Sequence, residues 1–307
     1  MRKNVRILMM MTAMVAVLML SSLSAVAAEG VDWGNSSITV TGSGVAPANA
    51  RSAAQARMMA RRAAVVDAYR QLAEAVKGVN VDSETTVQNM MVVDDTTKTK
   101  VSAFIQGAKI LSEQVTSDGG YEVTMTVSMF GVSNSLASAV MPKPAAVESF
   151  PQPVAAVAPS APASVHVDVT VTTQPAASTQ LQAPTTGSSA AAAPAGRAIG
   201  GYTGLIVDCS GLGLKPVMSP VIKNASGQPI YGYKNLDYDR VVSNGMAGYT
   251  ADIHNAVRAG ANPLIVRAIG LDNHNGNPIL SVADANRVLI ENGASGFLDR
   301  TAVVFVR

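Results

Sequence analysis

The chain has 307 residues, 14% of them charged, 4% aromatic, with one cysteine and a formal net charge of +2. Length allows about two domains, and the apolar content can build only small cores of Val, Ile, Leu, Met and Ala, poor in rings. A single cysteine excludes an internal disulfide framework, and so weak a positive charge excludes a general electrostatic pull on nucleic acid.

The first residues, "MRKNVR", are basic, and an uncharged apolar run follows from Ile7 to Leu20. "SSLSAVAAE" then places small residues for cleavage after Ala27 or Ala28. This is the three-part layout of a secretory signal peptide over residues 1–28. The apolar run is shorter than the ~20 residues that a bilayer span requires. Cleavage would remove Arg2, Lys3 and Arg6 and take the net charge from +2 to −1. The expected compartment is the periplasm, with neither a membrane span nor a lipid anchor, because no cysteine follows the leader where a lipoprotein is acylated.

The first domain is expected over residues 29–140. "SSITVTGSG" reads as a strand ending in glycines, and a helix from about Asn49 to Lys77 follows, stopped by Gly78. On a helical wheel Met58, Val65, Tyr69, Leu72 and Val76 share one face, with Ala54 beside them, and predict the packing stripe. Arg61 and Arg62 flank that stripe on opposite sides, while Arg57 and Arg70 point to solvent. Cations spread around a helix, without interleaved aromatics, argue for a scaffold rather than a nucleic-acid grip. Asp67 and Glu74 stand three and four residues from Arg70, in reach for local ion pairs. Arg57 and Arg70 are therefore the residues left to contact an anionic partner.

"VDSETTVQNMMVVDD" reads as an extended segment, and Val101, Phe104 and Ile105 as a helix. Residues 108–130 predict a hairpin turning at Asp118-Gly119, with Tyr121, Val123, Met125, Val127 and Met129 alternating with polar residues. The order β-α-β-α-β-β places helices on one face of a small sheet.

Residues 141–200 are rich in Ala, Pro and Ser and nearly uncharged, which predicts a disordered linker. Within it "SVHVDVTVTT", Ser164 to Thr173, alternates Val with polar residues, as an isolated strand or an extended segment would.

A second mixed α/β domain is expected over residues 201–307, so the fold class is α+β with two small domains. Its elements are a strand in "YTGLIVDCS", a hairpin at Ser226-Gly227, and a short helix from Thr250 through Ala259. Two strands then flank Asn275-Gly276. A helix follows, opened by a capping-box pattern at Ser281 and Asp284 and stopped by Gly293, and "TAVVFV" is a last strand, buried on both faces or central.

The search for chemistry yields little. "DCSGLGLK", Asp208 to Lys215, lacks the spacing of a phosphate loop. "DNHNGN", Asp272 to Asn277, fits a hairpin turn better than a calcium loop. His166, His254 and His274 share no metal-ligand spacing. Ser210 stands in no nucleophile motif, and Asp237 and Asp239 would share one side of an extended segment. Cys209 reads as a small buried residue of a strand. No catalytic residue, metal ligand or cofactor site is assigned, and the chain is expected not to be an enzyme.

"ARMMARRAAVVDAYRQLAEAVKGVNVDSETT" followed by "SAFIQGAKILSEQVTSDGGYEVTMTVSMFG" resembles the Lpp-twenty lipoprotein family and the related N-terminal domain of flagellar assembly protein T. The shared pattern is the Ala-rich helix with "DAYRQLAE", the "KGV" exit, "IQG", and the glycine-turned hairpin. The resemblance implies a non-catalytic Gram-negative envelope protein, outer-membrane or flagellum associated, with other envelope or flagellar proteins as partners. The missing acylated cysteine departs from the family's lipoproteins. The alternatives are a binding module for a cell-wall polymer or small ligand in the second domain, and a hydrolase using His254 or His274.

Overall fold

The computed structural model describes residues 30–154 and 196–307. The leader, His166 and the Ser164–Thr173 segment lie outside the described residues.

The first unit opens with β1 (Gly30–Asp32) and β2 (Ser37–Gly44), an antiparallel pair. Helix α1 spans Ala53–Lys77, and the Ser52 hydroxyl caps it by accepting the Gln55 amide. Its buried face differs from the expected stripe. Ala60, Ala64, Ala68, Leu72 and Val76 are buried, whereas Met58 is 61% exposed and Val65 and Tyr69 are half-buried. The cause lies in β2. A Cβ on Gly42 would stand 2.2 Å from the Ala68 nitrogen, and one on Gly44 would stand 2.3 Å from the Ala60 oxygen. Helix backbone rests directly on strand backbone, so only alanine fits the contact and larger side chains move to the flanks.

Helix α2 (Val87–Val93) occupies the segment read as extended. The Thr86 hydroxyl caps it through the Asn89 amide at 3.2 Å, a polar start signal that the β-branched run of valines and threonines masks. Asp94 then caps α3 (Asp95–Gln106), accepting the Thr96 and Thr97 amides at 3.0 Å each. Val101 and Phe104 of α3 are buried, as their spacing predicts. Strands β3 (Lys109–Val115) and β4 (Tyr121–Ser128) form the expected hairpin, with Gly119 at φ 85° in its turn. Val123, Met125, Val127 and Met129 point into the core. The sheet order is β1-β2-β4-β3, and the short α4 (Leu136–Val140) closes the unit.

Residues 141–154, which composition assigns to the linker, run over the second unit. Lys234 pairs with Glu148 at 2.7 Å, and the Phe150 ring stacks on Tyr231 with centroids 6.4 Å apart. Asn286 binds both the amide and the carbonyl of Val154, at 2.9 and 2.7 Å. On the far side of the undescribed stretch, the Ile199 and Gly200 amides donate to the two oxygens of Glu291, at 2.8 Å each.

The second unit comprises β5 (Gly204–Asp208), β6 (Ile222–Asn224), β7 (Pro229–Tyr231), α5 (Tyr238–Asn244) and β8 (Gly248–Thr250). It continues with β9 (Pro263–Arg267), β10 (Gly270–Asp272), β11 (Asn277–Leu280), α6 (Val282–Ser295) and β12 (Val303–Val306). One sheet, β8-β12-β5-β9, is wholly parallel, with the "TAVVFV" strand inside it and buried throughout, as read. The other, β10-β11-β6-β7, is mixed and contains the Gly227 hairpin.

Three details differ from the reading. The stretch from Thr250 to Ala259 forms two 3-10 turns, Ile253–Asn255 and Val257–Ala259, after β8, and the first is capped by Asp252. The two-strand run after Asn262 divides into β9 and β10–β11, which belong to different sheets. Helix α6 passes through Gly293 and ends at Gly296, whose φ of 63° supplies the left-handed stop; glycine inside a helix costs only about 1 kcal/mol.

A single apolar cluster joins the units, running from Ile38, Leu72 and Val76 to Leu205, Tyr249 and Phe305. Trp33 meets Tyr249 edge-on at 5.5 Å, and Tyr249 meets Phe305 at the same distance. Backbone bonds cross the seam as well: Met218 to Asn80 at 3.0 Å, Ser219 to Val81 at 2.7 Å, and Gly131 to Val242 at 2.8 Å.

Candidate functional site at the junction of the units

Three segments that sequence reading treats separately converge at the seam. Strand β5 leads into the glycine-rich turn, where the Asp208 carboxylate accepts the Ser210 amide at 2.9 Å and Gly211 and Gly213 take φ near 79° and 76°. This turn ends at Lys215, whose amide donates to the Asn275 carbonyl at 2.9 Å. Asn275 belongs to the turn between β10 and β11, in which Asn273, His274 and Asn275 all adopt positive φ, 46°, 54° and 67°. That backbone holds His274 outward. Asn277 then reaches across the seam to the Ser83 hydroxyl at 3.2 Å, and its oxygen accepts the Val221 amide at 2.9 Å. Gly276 permits the approach, since a Cβ there would lie 2.9 Å from the Ser83 Cβ.

The result is a cleft of about 250 Å3 lined by Asn80, Ser83, Glu84, Lys215, Val217, His274 and Gly276. Glu84, Lys215 and His274 are exposed and make no hydrogen bond or ion pair with one another among the described residues. Proton transfer requires such groups within hydrogen-bond reach of each other or of a substrate. The cleft as built suits recognition of a polar group.

The remaining predicted residues are scattered. Ser210 and His254 are exposed, and they lie in different loops from His274. Asp237 caps α5 through the Arg240 amide at 2.9 Å and Asp239 lies in its first turn, so these carboxylates open a helix instead of sharing one side of a strand. Asp272 is held by Lys223 at 2.6 Å, and no group of three metal-binding side chains occurs among the described residues. Cys209 is fully buried, and burial, helped by the neighbouring Asp208, pushes its thiol up to about 12. Arg70 is engaged by Asp67 at 2.9 Å and Glu74 at 2.8 Å, and Arg61 pairs with Glu113 of β3. Arg57 is exposed and makes no ion pair among the described residues.

The composition of the cleft escapes sequence reading because Ser83 and Glu84 stand 131 or more residues before Lys215. Asn286 and Glu291, which hold the flanks of the undescribed stretch, escape it too. Glu291 had a signal: it is an acid on the face of α6 that also carries Ala285, Val288 and Leu289.

Comparison with known proteins agrees with the two-unit division. Residues 33–128 match the model of the LPP20 lipoprotein family, the Lpp-twenty family resembled above. Residues 204–307 match the model described as Treponema pallidum Tp0624, second domain. A comparison with curated proteins finds no match. The chain thus joins a region similar to the LPP20 lipoprotein family to a region similar to the second domain of Treponema pallidum Tp0624.

Proposed function

We propose that this protein is an exported, non-catalytic structural or assembly factor of the bacterial cell envelope, held in place by protein contacts. The observation that carries the reading is the LPP20 lipoprotein match over residues 33–128. The leader-like start of the sequence supports export, and the burial of the only cysteine inside the core supports anchorage by means other than acylation. No helix among the described residues is long and apolar enough to cross a membrane. The periplasm is the compartment this reading assigns, with the outer membrane or the flagellar base as the structure it attends. Arg57, which has no acidic neighbour bound to it among the described residues, is the better of the two exposed arginines to meet an acidic partner protein; Arg70 is already neutralised by Asp67 and Glu74.

Fractionation and gene deletion test the proposal together. The protein should sediment with envelope complexes after crosslinking in intact cells, and its loss should impair motility or envelope integrity. A protein that stays free in the periplasmic fraction, with motility and envelope intact in the deletion strain, contradicts it.

The junction cleft favours a second reading, a binding module for a cell-wall polymer or a small polar ligand. Retention on purified peptidoglycan that is lost in Lys215→Ala would separate this reading from the first.

A further inference from the structure

A different cavity, of about 310 Å3, opens where the parallel sheet begins. Its walls are Asn244 at the end of α5, Arg258 in the second 3-10 turn, and Arg300, Thr301 and Ala302 ahead of β12. The Arg258 guanidinium is built into this wall. Its Nε donates to the Thr301 carbonyl at 2.8 Å, and its Nη2 donates to the Gly245 carbonyl at 2.5 Å and to the Thr301 hydroxyl at 3.0 Å. Both carbonyls come from residues with positive φ, 75° at Gly245 and 55° at Thr301, a conformation that threonine rarely takes. The backbone is bent to hold this side chain in one orientation.

What remains of the guanidinium is Nη1, which has no hydrogen bond among the described residues. Arg300 uses Nη1 on the Ser295 carbonyl at 2.5 Å, leaving its Nε and Nη2 without a bond there. The Asn244 side-chain carboxamide also makes no hydrogen bond among the described residues. Neither arginine has an ion pair with a carboxylate among them, and no acid lines the cavity. Burial pushes the Arg258 pKa down, the direction expected of a cation whose charge is poorly compensated. A desolvated cation without a counter-charge is costly, and an anion entering this cavity would remove that cost.

We propose that this cavity binds a dianionic phosphoryl group, the phosphate of a monoester, between Arg258 and Arg300 with Asn244 as a third donor. Two uncompensated positive charges match a dianion, whereas a single carboxylate would leave one cation unmatched. Guanidinium groups bind phosphate oxygens through paired N–H bonds; Arg300 has its Nε and Nη2 free for such a pair, and Arg258 adds the N–H groups of its fixed Nη1. The cavity, about 310 Å3, has room for the phosphate and part of the group esterified to it. The site is independent of the envelope reading.

The test is titration of the full chain with inorganic phosphate at constant ionic strength, followed by NMR of the arginine Nε–H signals, with chloride as control. The Arg258 signal should shift saturably with phosphate, and sulfate should compete better than acetate. Arg300→Gln should weaken binding about tenfold, the usual effect of removing a charged hydrogen-bond donor. Arg258 also ties two loops together, so its variants can unfold; Arg300→Gln and Asn244→Ala, both on exposed residues, carry the test. Vesicles of phosphatidylcholine containing phosphatidic acid, set against soluble glycerol phosphate, identify the source of the phosphate. Flotation with vesicles that Arg300→Gln abolishes assigns a lipid headgroup, and saturation by glycerol phosphate alone assigns a soluble ester. A phosphate response no greater than that to chloride, or equal affinity in Arg300→Gln, overturns the proposal.

Discussion

The two units bury their helices against their sheets by opposite means. In the first, Gly42 and Gly44 of β2 let α1 lie on the strand backbone through Ala60, Ala64 and Ala68. In the second, bulk fills the space: Phe305, Phe297, Leu205 and Tyr231 are fully buried. A contact made of backbone has no room to yield, and a contact made of large side chains has much to lose. The first unit should therefore be vulnerable to enlargement and the second to truncation.

Substitutions can break or sharpen that contrast. Phe305→Ala should cost about 4 kcal/mol, in the range for removing a buried ring, measured by urea denaturation. Gly42→Ala should cost about 3 kcal/mol although it adds one methyl group, because the new Cβ would stand 2.2 Å from a helix nitrogen. Gly211→Ala is the control: its φ is 79° but nothing lies within 4 Å, so about 1 kcal/mol is expected. If Gly42→Ala and Gly211→Ala cost the same, the backbone contact is not what the geometry implies. Asn286→Ala should cost about 1 kcal/mol and release Val154, seen as faster proteolysis after residue 150 with little change elsewhere.

The smallest expected effect is with acid. The Thr97 hydroxyl, with the Thr96 and Thr97 amides, holds Asp94 below the ordinary carboxylate range, and Lys223 with the Asn273 amide does so for Asp272. For a group whose folded pKa is depressed, the stabilisation is complete above the unfolded value and is lost as pH falls through the folded one. Unfolding midpoints should thus stay flat near neutrality and decline below about pH 4. Asp94 is exposed and solvent screens its bonds, so Asp94→Asn should reduce the decline only slightly.

Features fixed by a local rule were legible in the sequence. The Asp118-Gly119 hairpin, the Val101–Phe104 face, the buried "TAVVFV" strand and the Ser281 cap each depend on turn chemistry, period or a side chain three residues away. The alanine face of α1 was not, because a wheel weighs hydrophobicity and cannot sense glycines on a strand ten or more residues earlier. Helix α2 was missed because β-branched residues outvoted its Thr86 cap. The junction cleft and the Arg258 cavity were beyond sequence reading for a plainer reason: each gathers residues from loops whose meeting is decided by how the units pack.

That packing is the central claim, since the cleft exists only if the first and second units share one core. Trp33 lies on the seam and Cys209 lies deep in the second unit. Urea titration of the full chain, followed by Trp33 fluorescence and by Cys209 alkylation, compares them directly. One shared midpoint is the predicted result, and a Cys209 transition well separated from that of Trp33 would contradict the account.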